Sequence, residues 1–164
     1  MKNSFYYLCI GLVCVVSLNS CDDDDDILAS QVPLTVKTTF ETKFPNVTLV
    51  KWEKNRGYYL AEFWNQTSVV EAWFGRNGNW CMTETNLGFS TLPKSIQVAF
   101  QSSQYMTWRI EDLYKYERPT DTFYLIEVEK NGQLDRNLFY AEDGLLLKNE
   151  VDKEDFEVAP DIMF

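Results

Sequence analysis

The chain has 164 residues, with 15 Lys plus Arg against 25 Asp plus Glu and no histidine. This length suits one domain, or two small repeats sharing a core, and 45% apolar with 15% aromatic residues excludes wholesale disorder. A formal charge of -10 excludes nucleic acid as the main partner, because phosphate backbones need basic patches. The lack of histidine removes Ser-His and Cys-His mechanisms and most zinc sites.

Residues 1–20 read as a lipoprotein signal peptide. Lys2 supplies the positive charge, and Phe5 to Val16 is an uncharged apolar run well short of the about 20 residues that span a bilayer. The run ends in Leu18-Asn19-Ser20-Cys21, which resembles a bacterial lipobox. This makes Cys21 the expected lipid attachment site and the lipid chain the expected link to the membrane. Residues 21–31 are then a lipidated, acidic tether. Asp22, Asp23, Asp24, Asp25 and Asp26 repel one another and stay extended and hydrated. They lack the alternating spacing and closing glutamate of a calcium loop. Their position resembles the acidic export signal of outer-membrane lipoproteins in Bacteroidetes, so display at the cell surface is expected, the periplasmic leaflet being the alternative. Once the signal is removed and Cys21 lipidated, only Cys81 remains in the body of the chain, and an intrachain disulfide is excluded.

The body repeats. Val32-Pro33 recurs as Leu92-Pro93, and each pair opens a stretch of helical spacing, Val36, Phe40 and Phe44 in the first, Ile96, Ala99 and Phe100 in the second. Behind each helix run short segments of period-two alternation, rich in β-branched and aromatic residues. The spacing predicts strands near 47–53, 57–65, 68–76 and 79–85, then near 106–117, 121–130, 133–141 and 144–151. Asn77-Gly78, Asn131-Gly132 and Asp143-Gly144 are strong hairpin signals, since both central residues of a type I′ turn need positive φ. The expected fold is α+β: two tandem helix-plus-four-stranded-meander repeats, 32–91 and 92–151, forming one antiparallel sheet with both helices on one face. Residues 152–164 are left as a C-terminal tail.

The stretch Val32 to Leu92, with Phe44-Pro45-Asn46 after the helix and the run from Trp73 to Leu87 before the next Leu-Pro, resembles the PepSY-like family. These are secreted Bacteroidetes proteins whose two-repeat fold is similar to that of β-lactamase inhibitory protein. The resemblance implies binding or inhibition. The second unit departs from the pattern, with Gln104-Tyr105-Met106 in place of the Phe-Pro signature.

Catalytic signals are weak. Glu62 with Glu71, or Glu127 with Glu129, could serve as acid and base, yet such residues on exposed strand faces are commonly just solvated. Gly-rich phosphate loops, Cys-x-x-Cys and G-x-S-x-G are absent from the sequence. The expectation is therefore no enzyme activity, no metal and no cofactor.

The aromatics carry more. Strand alternation puts Tyr59, Ala61 and Phe63 on one face with Val70, Ala72 and Phe74. The small Ala61 and Ala72 let a helix approach there. Tyr58, Glu62, Trp64, Glu71 and Trp73 then share the face without helices, and large rings on an open face often mark an interaction surface. These five are the candidate partner-binding residues, for an unknown protein or a glycan. The competing expectation is a structural or accessory subunit of an envelope assembly, with that face permanently buried.

Overall fold

The computed structural model describes residues 25–65, 67–153, 157–162 and 164. The signal peptide, Cys21 and Asp22 to Asp24 lie outside the described residues. Nine strands form one sheet: β1 Asp25–Ile27, β2 Lys51–Asn55, β3 Tyr58–Asn65, β4 Ser68–Phe74, β5 Trp80–Asn86, β6 Arg109–Glu117, β7 Thr122–Glu129, β8 Arg136–Ala141 and β9 Leu146–Val151. They lie side by side in chain order, and every neighbouring pair is antiparallel. Two helices, α1 Leu34–Lys43 and α2 Lys94–Gln101, precede the two meanders.

Each helix starts behind a proline whose φ, -57° at Pro33 and -49° at Pro93, already suits a helix. Each then buries the same kind of stripe. Val36 and Phe40 pack against Trp52, Ala61, Phe63 and Phe74, and Ile96 and Phe100 pack against Leu113, Ile126, Val128 and Leu138. Both helices therefore cover one face, and the two repeats share a continuous sheet through the β5–β6 pairing of Thr83 with Glu117 and Asn86 with Tyr114.

Three features depart from the expected pattern. The first strand of each unit begins later than its apolar residues suggest, at Lys51 and Arg109. Residues 102–108 are instead taken up by turns, with Ser103 N–H bonding to the Phe100 carbonyl at 3.0 Å. The stretch read as a free acidic tether is part of the sheet from Asp25 on. Asp25 pairs with Lys54, Asp26 with Glu53 and Ile27 with Trp52. Asp26 also meets Lys51 of the neighbouring strand at 3.0 Å.

The tail departs most. Val158 is 1% exposed and lies with Leu60, Trp73, Met82, Tyr116, Phe123, Leu125 and Phe139 on the helix-free face. Arg118 donates to the Ile162 carbonyl, and the Phe164 ring leans on Phe139 at 5.1 Å. A third core thus lies under the tail, on the side expected to be open. No helix among the described residues is long and apolar enough to cross a membrane.

Candidate functional site

The five candidate residues do lie on the helix-free face, since Leu60 opposite Trp73 belongs to the core on that side while Ala61 opposite Ala72 belongs to the α1 core. They are not one exposed patch. Trp73 is 0% exposed, packed edge-on to Tyr58 at 5.9 Å and grouped with Val158 of the tail. It is a core residue, which corrects its reading as an exposed binding ring. The reason lies outside the meander, in a tail that covers the middle of the face. Tyr58 is half-buried and borders the same cluster. Trp64 remains open at 66% exposure.

What the tail leaves uncovered is acidic. The register sets Lys51 opposite Glu62, Glu62 opposite Glu71, Glu71 opposite Glu84 and Glu84 opposite Tyr116. Three glutamates thus stand directly abreast on β3, β4 and β5, an arrangement that is normally destabilising. The one cation of the row, Lys51, is drawn to Glu53 at 2.5 Å and to Asp26. A cavity of about 250 Å³ opens beside this row. Glu71, Glu84, Tyr114, Tyr116 and Glu127 line it from the sheet, and Glu157 and Val158 line it from the tail.

Burial and mutual repulsion hold these carboxyls far above the usual range. Burial, followed by the charges of Glu157, Glu62 and Glu53, pushes Glu71 up to about 7. Burial and the neighbouring Glu71 push Glu84 up to about 8, although the Tyr116 hydroxyl donates to it. Burial, Asp152 and Asp112 push Glu127 up to about 7. Neither arginine nor lysine lines the cavity. Such a site stores protons in the free protein and favours a positive group that can release them.

Sequence reasoning named Glu62 and Glu71 but missed Glu84. Spacing alone does not reveal it: a register shift between Trp73 and Phe74 sets Glu84, five residues beyond Asn79, opposite Glu71, four residues before Gly75. Glu127 and Glu129, weighed as an acid and base pair, have different surroundings. Arg109 pairs with Glu129, while Glu127 faces the cavity. Glu111, Glu129 and Asp135 bring carboxylate oxygens within 4.8 Å of one another, and Arg109 already reaches this group through Glu129 and Glu111. Cys81 is half-buried, and burial pushes its thiol up, the opposite of what a nucleophile needs.

Comparison with known proteins agrees with this architecture. A family model described as "Putative beta-lactamase-inhibitor-like, PepSY-like" matches residues 22–69 and 57–148. The crystal structure of a BLIP-like protein from Bacteroides fragilis superposes with a TM-score of 0.71 at 30% identity, covering 77% of this chain and 92% of that one. A DUF2874 family protein from Bacteroides ovatus gives 0.70 at 30% identity, covering 73% and 86%. No curated protein matches the chain.

Proposed function

Because the chain belongs to the PepSY-like family, we propose that it is a non-catalytic, inhibitor-like binding module that takes a basic protein surface on the helix-free face of its sheet. The observation that carries this reading is the row Glu62, Glu71 and Glu84, set abreast without an adjacent free cation. A partner lysine or arginine placed there would remove the like-charge repulsion and draw the protons off Glu71 and Glu84. Trp64, two residues along β3 from Glu62 and exposed on the same face, supplies the aromatic area that anchors interfaces. A protein is preferred over a glycan because a neutral sugar leaves the carboxylate row uncompensated. The Bacteroides fragilis relative being BLIP-like supports the same mode of use.

The proposed location is the outer membrane, at the cell surface, with Cys21 as the lipid anchor and Asp22 to Asp26 as the export signal. Cys21→Ala should release the protein from membranes, because the acyl chains contribute roughly 0.8 kcal/mol per buried CH₂.

The binding reading is tested by cross-linking the wild-type chain and a Trp64→Ala, Glu62→Gln, Glu71→Gln variant in intact cells. The expected result is one protein captured by the wild type and lost with the variant. Equal capture by both would reject this face. Mild extraction and sizing then separate the alternatives, since a binding module elutes alone and an accessory subunit elutes with its assembly.

A further inference from the structure

We propose that the chain pairs with a second copy of itself through β9, so that two sheets continue into one. The sheet of the described residues ends at β1 on one side and at β9 on the other. The β1 edge offers only Asp25 to Ile27, directly after further aspartates, and two such edges repel each other. The β9 edge offers six residues, Leu146–Val151. An edge strand presents unpaired N–H and C=O groups, a ready template for another strand.

The β8–β9 ladder shows which of those groups are free. Asp152 N–H donates to the Asp135 carbonyl at 2.9 Å, and Glu150 lies opposite Asn137. Backbone direction alternates along an antiparallel strand. Glu150 therefore turns its N–H and C=O toward β8, while Asn149 and Val151 turn theirs outward. The irregularity of this ladder falls at its other end, between the pairing of Phe139 with Lys148 and that of Tyr140 with Leu146. Lys148 to Val151 is left regular.

Charge then selects the register. An antiparallel copy centred on Asn149 lets the two Asn149 residues exchange both backbone bonds. It also sets Lys148 opposite Glu150 of the partner subunit, and Leu147, exposed on the edge, opposite Val151 of the partner subunit. The two-fold repeats each relation. Lys148 already meets Glu150 of its own chain at 3.1 Å, so the pairing closes a ring of four alternating charges. Opposite charges directly across a strand pair are favourable and like charges are not. Centres on Lys148 or Glu150 set like charges face to face and use backbone groups already turned toward β8. A centre on Val151 sets Glu150 against an aspartate, Asp152.

The two-fold axis of such a pair runs perpendicular to the sheet, so both helix-free faces look the same way. Glu62 and Trp64 lie on β3, near the opposite end of the strand order, and stay clear of the joint. The dimer thus presents its acidic margin twice, which raises the avidity for a partner with two matching sites.

The test is sedimentation equilibrium of the full chain at about 0.15 M salt, with protein up to about 1 mM. The wild type should pass from monomer to dimer. Lys148→Glu and Glu150→Lys should each weaken self-association by about tenfold or more, since each sets like charges across the joint twice. An equimolar mixture of the two variants should form a heterodimer, because opposite charges then face each other again. Val151→Pro removes an outward N–H and spares the bonds to β8, as edge prolines do; it should unfold cooperatively yet stay monomeric. The proposal is overturned by a wild type that remains monomeric up to about 1 mM. It is overturned equally by Val151→Pro dimerising as the wild type does, or by a mixture of the charge variants that associates no better than either alone.

Discussion

The ring of Phe164 stands edge-on to that of Phe123, with 4.7 Å between centroids, on the side of the sheet away from both helices. This contact ends the course of a tail that starts to bury itself at Val158. It changes the meaning of the face beneath. The middle of that face is a core, and what remains for a partner is the acidic margin with Trp64.

Two tryptophans on one face should therefore respond differently to truncation. Trp73→Ala removes a ring with 0% exposure and should cost about 3–5 kcal/mol, the usual range for a buried aromatic. Trp64→Ala, at 66% exposure, should stay within about 0.5 kcal/mol of the wild type. Urea unfolding of the two variants measures both. Equal costs would mean that the tail does not hold its place over Trp73 in solution.

The repeat makes a second pair. Phe40 and Phe100 occupy matching helix positions and are each 4% exposed, and Phe40 meets the rings of Trp52, Phe63 and Phe74. Either change to Ala should cost about 3–5 kcal/mol. Because β5 and β6 join the repeats in one ladder, each variant should lower a single cooperative transition. Two transitions in calorimetry, with one of them unmoved, would show independent halves.

Much of this was legible in the sequence because local chemistry and tertiary packing agree in the meanders. The Val-Pro and Leu-Pro helix starts and the small Ala61 and Ala72 predict features that the structure contains, and the Asn-Gly and Asp-Gly pairs do mark hairpins, though with positive φ at the glycine alone and not the type I′ geometry. The segments that escaped are those without periodicity. Asp25 and Asp26 carry no alternation of their own, and their pairing with β2, where Lys51 meets Asp26, becomes visible only in the fold. Residues 157–164 mix proline, acids and isolated apolar groups, so nothing local shows that Val158 and Phe164 return to the sheet. Trp73 was misplaced for that reason. Glu84 was overlooked because its significance arises only when the register sets it beside Glu71.

The carboxylate row predicts how stability depends on pH. Glu84 has an ordinary value of 4.5 when solvated and about 8 in the fold, through burial and the adjacent Glu71. Between those values the folded state holds a proton that the unfolded chain has released, so stability falls as pH rises through the window. With Glu71 and Glu127 raised in the same direction, the melting midpoint should be several degrees higher at about pH 5.5 than at about pH 8.5. Glu84→Gln keeps the shape, cannot ionise and should flatten much of that slope. A midpoint rising with pH over this range would contradict the burial of these groups.

The two helix-to-turn contacts offer the sharpest comparison. Gly78 and Gly144 close equivalent hairpins with φ of +88° and +91°. A Cβ on Gly78 would come within 2.8 Å of Thr35 Cβ, and one on Gly144 within 2.8 Å of the Ser95 carbonyl oxygen. Thr35 and Ser95 lie in the first turns of α1 and α2, and Ser95 Oγ donates to the Glu142 carbonyl at 2.5 Å. The helices are therefore seated on the turns, and neither side can yield without moving backbone. Gly132, with φ of +76°, also needs the left-handed region, but a Cβ there meets nothing within 4 Å. Gly132→Ala should then show the conformational cost alone, about 1–2 kcal/mol. Gly78→Ala and Gly144→Ala should each lose about 3 kcal/mol or more, since displacement of the helix start adds to the same strain. Denaturation of the three variants side by side separates the two contributions. If Gly144→Ala proves no more costly than Gly132→Ala, the contact between α2 and its turn is looser than the geometry requires, and the repeats are not seated alike.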